Sequence, residues 1–546
     1  MAYINGTSRD QIRLFVSWED HIDPDNPVRL IDAFVDGLDL NKLGFTHAVP
    51  ADTGRPAYDP AVLLKLYLYG YLNQIRSSRR LMIECRRNIE LFYLLDSLAP
   101  DFRTIADFRK DNSEAIVGVF RHFVGECLSL GLYSKELLAV DGSKFRAVNG
   151  HKNMYNETIL TTKLARVDNE LAHYLKQLQE ADEKEDTEPE KTAVLTETME
   201  KLTARKERYE AYQAQLLESG ETQLLTTDPQ ARMMNSKNGF HCCYNVQTAV
   251  DAKTHLVAAF EVTNHANDQQ VLSAFSQKVK QDLKTEVLSV VADKGYDSQE
   301  EILACIQQGV LPYVGFRYDQ SERLLVLPYE PQAITEERRR STRPEDIRAC
   351  LHAGVLPQCY EGSHLSVEVR AERAIGCFHR GLDKTTVTCP MGQTLRKTCE
   401  KHGGIEYACR PACRQCTNRC TPSRKHKVVR FGPGTEYVAA RMYGEGKPVI
   451  TQPPGFIPHN SFYRKNRPGL TVLLRVADDI PKQKLRLCVS EHPFGTVKWS
   501  HGAYYFLCKG IQKTSAEAGL SFLAYNMKRA INMKGVPALV EAMRGI

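Results

Sequence analysis

Residues 287–292 read Val-Leu-Ser-Val-Val-Ala, and the chain then turns polar at once with Asp293-Lys294-Gly295-Tyr296. A run that short and that apolar suits a strand buried on both faces in the middle of a sheet. A second run, Leu137-Leu138-Ala139-Val140, also ends on an acid and a glycine, Asp141-Gly142. Residues 244–250 alternate as a strand, Asp251-Ala252-Lys253-Thr254 makes a turn, and residues 256–262 return, which predicts a hairpin. Helical patterns cover 272–279 and 302–306, and 310–316 is a further strand candidate. The order strand, hairpin, helix, strand, helix, strand predicts an α/β protein, a mixed sheet with helices on its faces.

Other segments interrupt that sheet. The first 130 residues read as helical: Asp59-Pro60 is a helix start, with Leu63, Leu64, Tyr67, Leu68 and Tyr71 on one apolar side, and a further helix begins at Pro100-Asp101. In residues 155–226, Leu160, Leu164, Val167, Leu171, Tyr174 and Leu178, then Leu195, Met199, Leu202, Tyr209 and Leu216, keep a coiled-coil rhythm on either side of a charged break. They predict an antiparallel helical hairpin. Residues 318–475 read as an irregular, basic, cysteine-rich second insertion. The predicted organisation is a helical N-terminal domain over 1–130 and a sheet domain over 131–546, broken by insertions at 155–226 and 318–475. The last helix, residues 516–533, places Leu520, Leu523, Met527 and Ile531 on one side.

Charge separates these segments. The net charge of +6 says little, but residues 371–470 hold 18 Lys/Arg against 6 Asp/Glu. Residues 161–220 hold 9 against 14. A basic block of the first kind attracts polyanions through counterion release, and a solvated basic surface explains it equally well. With no apolar run of about 18 residues, no membrane span is expected. The N-terminus lacks the layout of a signal peptide, so the expected location is the cytoplasm, with solitary cysteines as free thiols.

Asp141 and Asp293 both sit where predicted core strands end, and both are followed within two residues by glycine. Two carboxylates at neighbouring strand ends suit hard divalent cations such as magnesium or manganese. An Asp-Gly pair is also an ordinary turn. A third candidate, Glu491, lies seven residues before Lys498, about two helical turns, which places a carboxylate and a phosphate-seeking ammonium on one face. Asp268, in Asn264-His265-Ala266-Asn267-Asp268, reads as a helix cap before it reads as a site residue. Cys413-Arg414-Gln415-Cys416-Thr417-Asn418-Arg419-Cys420 offers three thiolates to a tetrahedral zinc ion, and Cys389 is a candidate fourth, with Cys377, Cys399 and Cys409 as competitors. Arg424, Lys425, Lys427 and Arg430 follow directly, and Arg76, Arg79 and Arg80 cluster at a turn between two predicted helices. Both groups are candidate phosphate contacts.

Nearly the whole chain resembles the DDE-type transposases of bacterial insertion sequences. The resemblance is carried by Gly54-Arg55-Pro56-Ala57-Tyr58-Asp59-Pro60, Arg76-Ser77-Ser78-Arg79 and Phe108-Arg109 in the helical part. It continues in Val140-Asp141-Gly142-Ser143-Lys144, the hairpin at 244–251, Ala292-Asp293-Lys294-Gly295-Tyr296, and Glu491 with Lys498. It implies a ribonuclease H-like sheet in which Asp141, Asp293 and Glu491 hold two magnesium ions, and a helical N-terminal domain that binds DNA. It further implies end cleavage by water, strand transfer to target double-stranded DNA, phosphate contacts from Lys144 and Lys498, and a homo-oligomer on the paired element ends. Related transposases often carry Tyr and Arg seven and four residues before the glutamate. Here those places hold Lys484 and Leu487, with Arg486 one residue away. The alternatives are a DNA-binding element product without catalysis and a nuclease without strand transfer.

Overall fold

The computed structural model describes residues 17–50, 56–182, 189–236, 239–316, 322–330, 332–371, 377–381, 384–401, 403–416, 420–421, 425–433, 437–439 and 470–544. The chain divides into two compact units, one of Met1–Ile306, Val310–Arg317 and Asp479–Ile546, the other of Gln307–Gly309 and Tyr318–Asp478.

The first unit is organised by a mixed sheet of six strands: β1 Leu138–Arg146, β2 Arg232–Ser236, β3 Gly239–Asp251, β4 Val257–Thr263, β5 Leu288–Ala292 and β6 Val310–Val314. β3 runs antiparallel between β1 and the outer edge that β2 and β4 share. On its other side β1 pairs parallel with β5, which pairs parallel with β6. The apolar runs become the middle of this sheet: Leu138, Ala139 and Val140 are fully buried, as are Leu288, Val290 and Ala292. Parallel neighbours need helical crossovers, and helices Leu272–Asp282 and Gln299–Gln307 flank β5 in sequence.

The N-terminal helices begin where capping residues predict. The Asp59 carboxylate accepts the Ala61 N–H at 2.8 Å ahead of helix Pro60–Leu72, and Asp101 accepts those of Arg103 and Thr104 at 2.8 and 3.2 Å ahead of helix Phe102–Asp111. Leu63, Leu64, Tyr67, Leu68 and Tyr71 are all buried. Their cover is the helix Ile511–Lys534, which packs on helices Pro60–Leu72 and Ser113–Ser129 and on β4. That helix is buried almost all round, from Ala516 to Met527, because it is the shared core of the N-terminal helices and the sheet. The two therefore form one unit, where the sequence alone led us to expect separate domains.

Helices Glu157–Asp182 and Pro189–Ser219 pack along each other around Tyr155, Leu160, Val167, Leu202, Tyr209 and Leu216. Lys206 reaches back to Asp168 at 2.7 Å.

The second unit corrects the expectation of an irregular insertion. Strands Glu322–Pro328 and Leu365–Ala371 flank Leu470–Ala477 in one antiparallel sheet. A further sheet runs in the order Val428–Phe431, Gly404–Ala408, Thr394–Lys401, Thr386–Thr388, Cys377–Arg380, Tyr437–Ala439. Its core is Phe378, Val387, Leu395, Tyr407, Val429 and Phe431. These strands are short and carry only one or two inward apolar residues each, between outward charges, so the alternation is too sparse to read as strands. Among the described residues, no helix is long and apolar enough to cross a membrane.

Candidate active site

The parallel register pairs Val140 with Ala292, so Asp141 and Asp293 follow side by side on adjacent strands. Asp141 continues within β1, and Asp293 leaves β5 to cap a short turn, its Oδ1 accepting the Gly295 N–H at 2.7 Å. A Cβ on Gly295 would lie 2.7 Å from that same oxygen, so any larger residue here would have to displace the Asp293 carboxylate.

Asp141 lies under helix Ile480–Gly495. Its Oδ2 accepts from Arg486 Nη1 at 3.0 Å and from Ser490 Oγ at 2.8 Å, and its Oδ1 accepts the Gly142 N–H at 2.8 Å. Burial raises its pKa, and the charge of Asp293 adds to that. Ser490, Arg486 and the Gly142 amide oppose the rise without cancelling it. The Asp141 carboxylate is thus held in a buried setting that disfavours its charge despite the neighbouring arginine.

A rank of polar side chains supports the pair from β3. Asn245 and Gln247, two residues apart and so on one face, each donate to Asp268 Oδ1 at 2.6 Å. The buried Tyr296 hydroxyl donates in turn to Gln247 Oε1. Asp268 Oδ1 also lies 2.8 Å from where a Gly142 Cβ would stand, so Gly142 is what lets this acid approach β1. The Tyr296 hydroxyl is held well above its usual pKa, first by burial and then by Asp268, Asp141 and Asp293 together. Asp268, read from the sequence chiefly as a helix cap, is thus a member of the acidic cluster. Two amide side chains at alternating positions of an otherwise apolar strand were the signal for it.

Glu491 departs from expectation. Arg486 and Ser490, an i,i+4 pair, face Asp141, and Glu491 projects about 100° further round the helix. It is exposed and makes no hydrogen bond or ion pair with a described residue. Among the described residues, no three His, Cys, Asp or Glu side chains stand so as to hold a metal ion. The three acids are therefore not assembled as a ligand set.

The expected phosphate contacts divide. The Lys144 ammonium is buried, 3.9 Å from Asp268 Oδ1 and without a hydrogen-bond partner among the described residues, and burial lowers its pKa. Lys498 is committed within the protein: Nζ donates to Ser143 Oγ at 2.6 Å and to the Lys144 carbonyl at 2.7 Å and lies 4.4 Å from the Phe145 ring centre. In this state it ties its helix to β1. Arg76 is likewise withdrawn from solvent, donating to the Tyr505 and Gly502 carbonyls at 2.8 and 2.7 Å and pairing with buried Glu517 at 3.2 Å. Arg79 and Arg80 remain exposed, Arg79 lying over the Phe102 ring. In the second unit Lys425 is exposed and Lys427 half-buried, and Arg424 lies outside the described residues. Cys389, Cys413, Cys416 and Cys420 line one small cavity there. Burial, with the other three thiols adding to it, pushes Cys420 up to about 11.

Asp141 inside β1 and Asp293 just past the end of β5 thus lie side by side in an α/β unit, with a helix over Asp141 and the Lys144 ammonium nearby. Residues 16–111 match the family model described as Transposase domain (DUF772), and residues 213–397 match that described as Transposase DDE domain. The chain belongs to the DDE transposases of insertion sequences, and so to a family of metal-dependent enzymes that cut and join DNA. The second match contains Asp268 and Asp293 and includes neither Asp141 nor Glu491. Among solved structures, the cryo-EM structure of a piggyBac transposase synaptic complex with hairpin DNA aligns over 95% of this chain and 79% of that one. The identity is 8% and the TM-score 0.31, a likeness too slight to argue from. No curated protein sequence matches the chain.

Proposed function

We propose that this chain binds the terminal inverted repeats of its own mobile element, cleaves the ends and joins the freed strands to target DNA, with Asp141 and Asp293 at the centre of the reaction. The observation that carries this reading is the Val140–Ala292 register, which brings two acids 152 residues apart in sequence side by side, Asp141 within β1 and Asp293 just past the end of β5. The sheet supports a ribonuclease H-like assignment: β1, β3 and β4 form an antiparallel set, and β5 and β6 then join β1 in parallel.

The acid pair suits a hard divalent ion in kind. Burial and the neighbouring carboxylate disfavour the ionised form of Asp141, and a dication would relieve both. Asp141 and Asp293 would hold magnesium or manganese. When bound, the metal would supply Lewis-acid stabilisation of charge building on the attacking and leaving oxygens. The third acid is either Glu491, reached by a turn of the helix that already covers Asp141, or Asp268, already beside Gly142. The Lys144 ammonium, paired with Asp268 only at 3.9 Å and without a hydrogen bond, would take a non-bridging phosphate oxygen. In the first step a water oxygen bonds to phosphorus as the P–O3′ bond breaks, leaving a 3′ hydroxyl on the element. In the second, that hydroxyl attacks a target phosphate and releases a target 3′ hydroxyl.

The test is cleavage and joining of a duplex carrying the element end, with magnesium or manganese. Asp141→Ala and Asp293→Ala should bind the end and neither cut nor join it. Comparison of Glu491→Gln with Asp268→Asn identifies the third acid by which loses activity. Full cleavage by Asp293→Ala would end this reading. Binding without cutting by the unsubstituted protein would mark a non-catalytic DNA-binding product, and cutting without joining of pre-cut ends a plain nuclease.

A further inference from the structure

We propose that Cys389, Cys413, Cys416 and Cys420 form a tetrahedral zinc site that staples the six-stranded sheet of the second unit. The sulfurs come from two places in that sheet. Cys389 opens the turn after strand Thr386–Thr388, and the other three lie in and after the short helix Arg410–Arg414, between strands Gly404–Ala408 and Val428–Phe431. All four line a cavity of about 30 Å³, together with the apolar Phe378 and with Lys427. None is in a disulfide.

The turn that carries Cys389 is built around its sulfur. The Gly392 N–H donates to the Cys389 carbonyl at 2.9 Å, with Gly392 at φ +75°, and the Cys389 N–H donates to Gln393 at 2.8 Å. The Gln393 N–H then donates to Cys389 Sγ at 3.3 Å. A backbone amide aimed at sulfur stabilises a thiolate far more than a thiol, and the thiolate is the form that binds zinc. A four-thiolate zinc centre carries two net negative charges, and Lys427, which also lines the cavity, offsets part of them.

This arrangement also chooses among the competing cysteines. The Cys399 thiol donates to Glu406 Oε2 at 3.1 Å and does not line the cavity. Cys409 packs against the sheet core, as Cys389 and Cys420 also do, but unlike them it does not line the cavity. As the side chains stand, no three of the described candidate ligands are within reach of a common ion. A cysteine sulfur moves about 3 Å between staggered rotamers, and the proposed site requires such rotation of the three thiols from 413–420 toward an ion held to Cys389. Among the described residues the core beneath the sheet is Phe378, Val387, Leu395, Tyr407, Val429 and Phe431, and a metal staple would add to what that core supplies.

The test uses the full chain, purified under reducing conditions, and is read without DNA cleavage, so its failure leaves the transposase reading standing. Elemental analysis should find one zinc per chain. Cobalt substitution should give the absorption of a tetrahedral thiolate centre. Cys399→Ser should keep the metal, and Cys389→Ser and Cys416→Ser should lose it. If those variants fold poorly, alkylation of the unsubstituted protein decides: these four cysteines should be protected from iodoacetamide until a strong chelator is added, and Cys399 should react in either case. Protein without stoichiometric metal, or four cysteines that alkylate at the same rate with and without chelator, would overturn the site. So would disulfides among the four in freshly reduced protein.

Discussion

Arg76 shows how far a residue's identity can mislead about its work. Its neighbours Ser77, Ser78, Arg79 and Arg80 make a basic polar turn that reads as DNA-facing. What withdraws it is Glu517, 441 positions on, whose buried carboxylate also accepts from the Leu507 and Cys508 amides at 2.9 and 3.1 Å. No local pattern announces a partner that distant. Because the pair is buried, at 9% and 1% side-chain exposure, removing one member strands the other. Arg76→Ala should cost about 3–5 kcal/mol in urea-induced unfolding. A loss below about 1 kcal/mol would mean the guanidinium is free in solution. The acids were legible in part: Asp141 and Asp293 announce themselves because an apolar run ends on each. Asp268 does not, because its place in the cluster depends on Asn245, Gln247 and the bare Cα of Gly142, three residues whose convergence only the folded β3–β1 pair creates.

At the scale of elements, legibility followed the density of the apolar signal. The hairpin of Glu157–Asp182 and Pro189–Ser219 repeats its apolar residues often enough to be read directly, and its packing is its own, around Leu160, Val167 and Leu202. Leu160→Ala, at a fully buried position, should cost about 2–5 kcal/mol locally. Hydrogen exchange should then speed up along 157–219 and stay unchanged in β1 and β5; loss of protection throughout the sheet would show that the hairpin is not a separate cooperative element. The helix over Asp141 has a different vulnerability. His492 on that helix lies 5.4 Å from the His255 ring at the β3–β4 turn, and its Nδ1 is 2.8 Å from the Tyr525 hydroxyl. Partial desolvation first, and then the Arg529 guanidinium, hold both histidines below their usual pKa, and His255 further lowers His492; His255 is half-buried and His492 is exposed, so His492 carries the smaller share, and Asp251 partly opposes the shift at His255. With the folded pKa values lowered, the unfolded chain takes up protons first as pH falls below about 6.5, so stability is lost there and regained as pH rises. The Tm should therefore fall between pH 7.5 and pH 5.5, and His492→Gln should flatten part of that dependence. An unchanged pH profile in His492→Gln would remove the histidine pair as its cause.

For the whole molecule, the partner is a polyanion, and the question is which of the 72 lysines and arginines meet it. Net charge cannot answer, because cations spent on the protein's own carboxylates and carbonyls release no counterions when DNA binds. The structure sorts some of them: Arg76 and Lys498 make their contacts within the protein, while Arg79 and Arg80 are exposed. Each phosphate contact contributes about 0.9 to the slope of log affinity against log salt on duplex DNA. Arg79→Ala combined with Arg80→Ala should therefore shallow that slope by about 1.8 and weaken binding to end and non-end duplexes alike, since phosphate contacts carry no sequence information. Arg76→Ala, measured at a temperature where it remains folded, should leave the slope as it was. The comparison is sharp because the three arginines lie within five residues of one another and differ only in what the fold has done with them. Equal slopes for the double variant and the unsubstituted protein would move the DNA-binding surface away from the N-terminal helices.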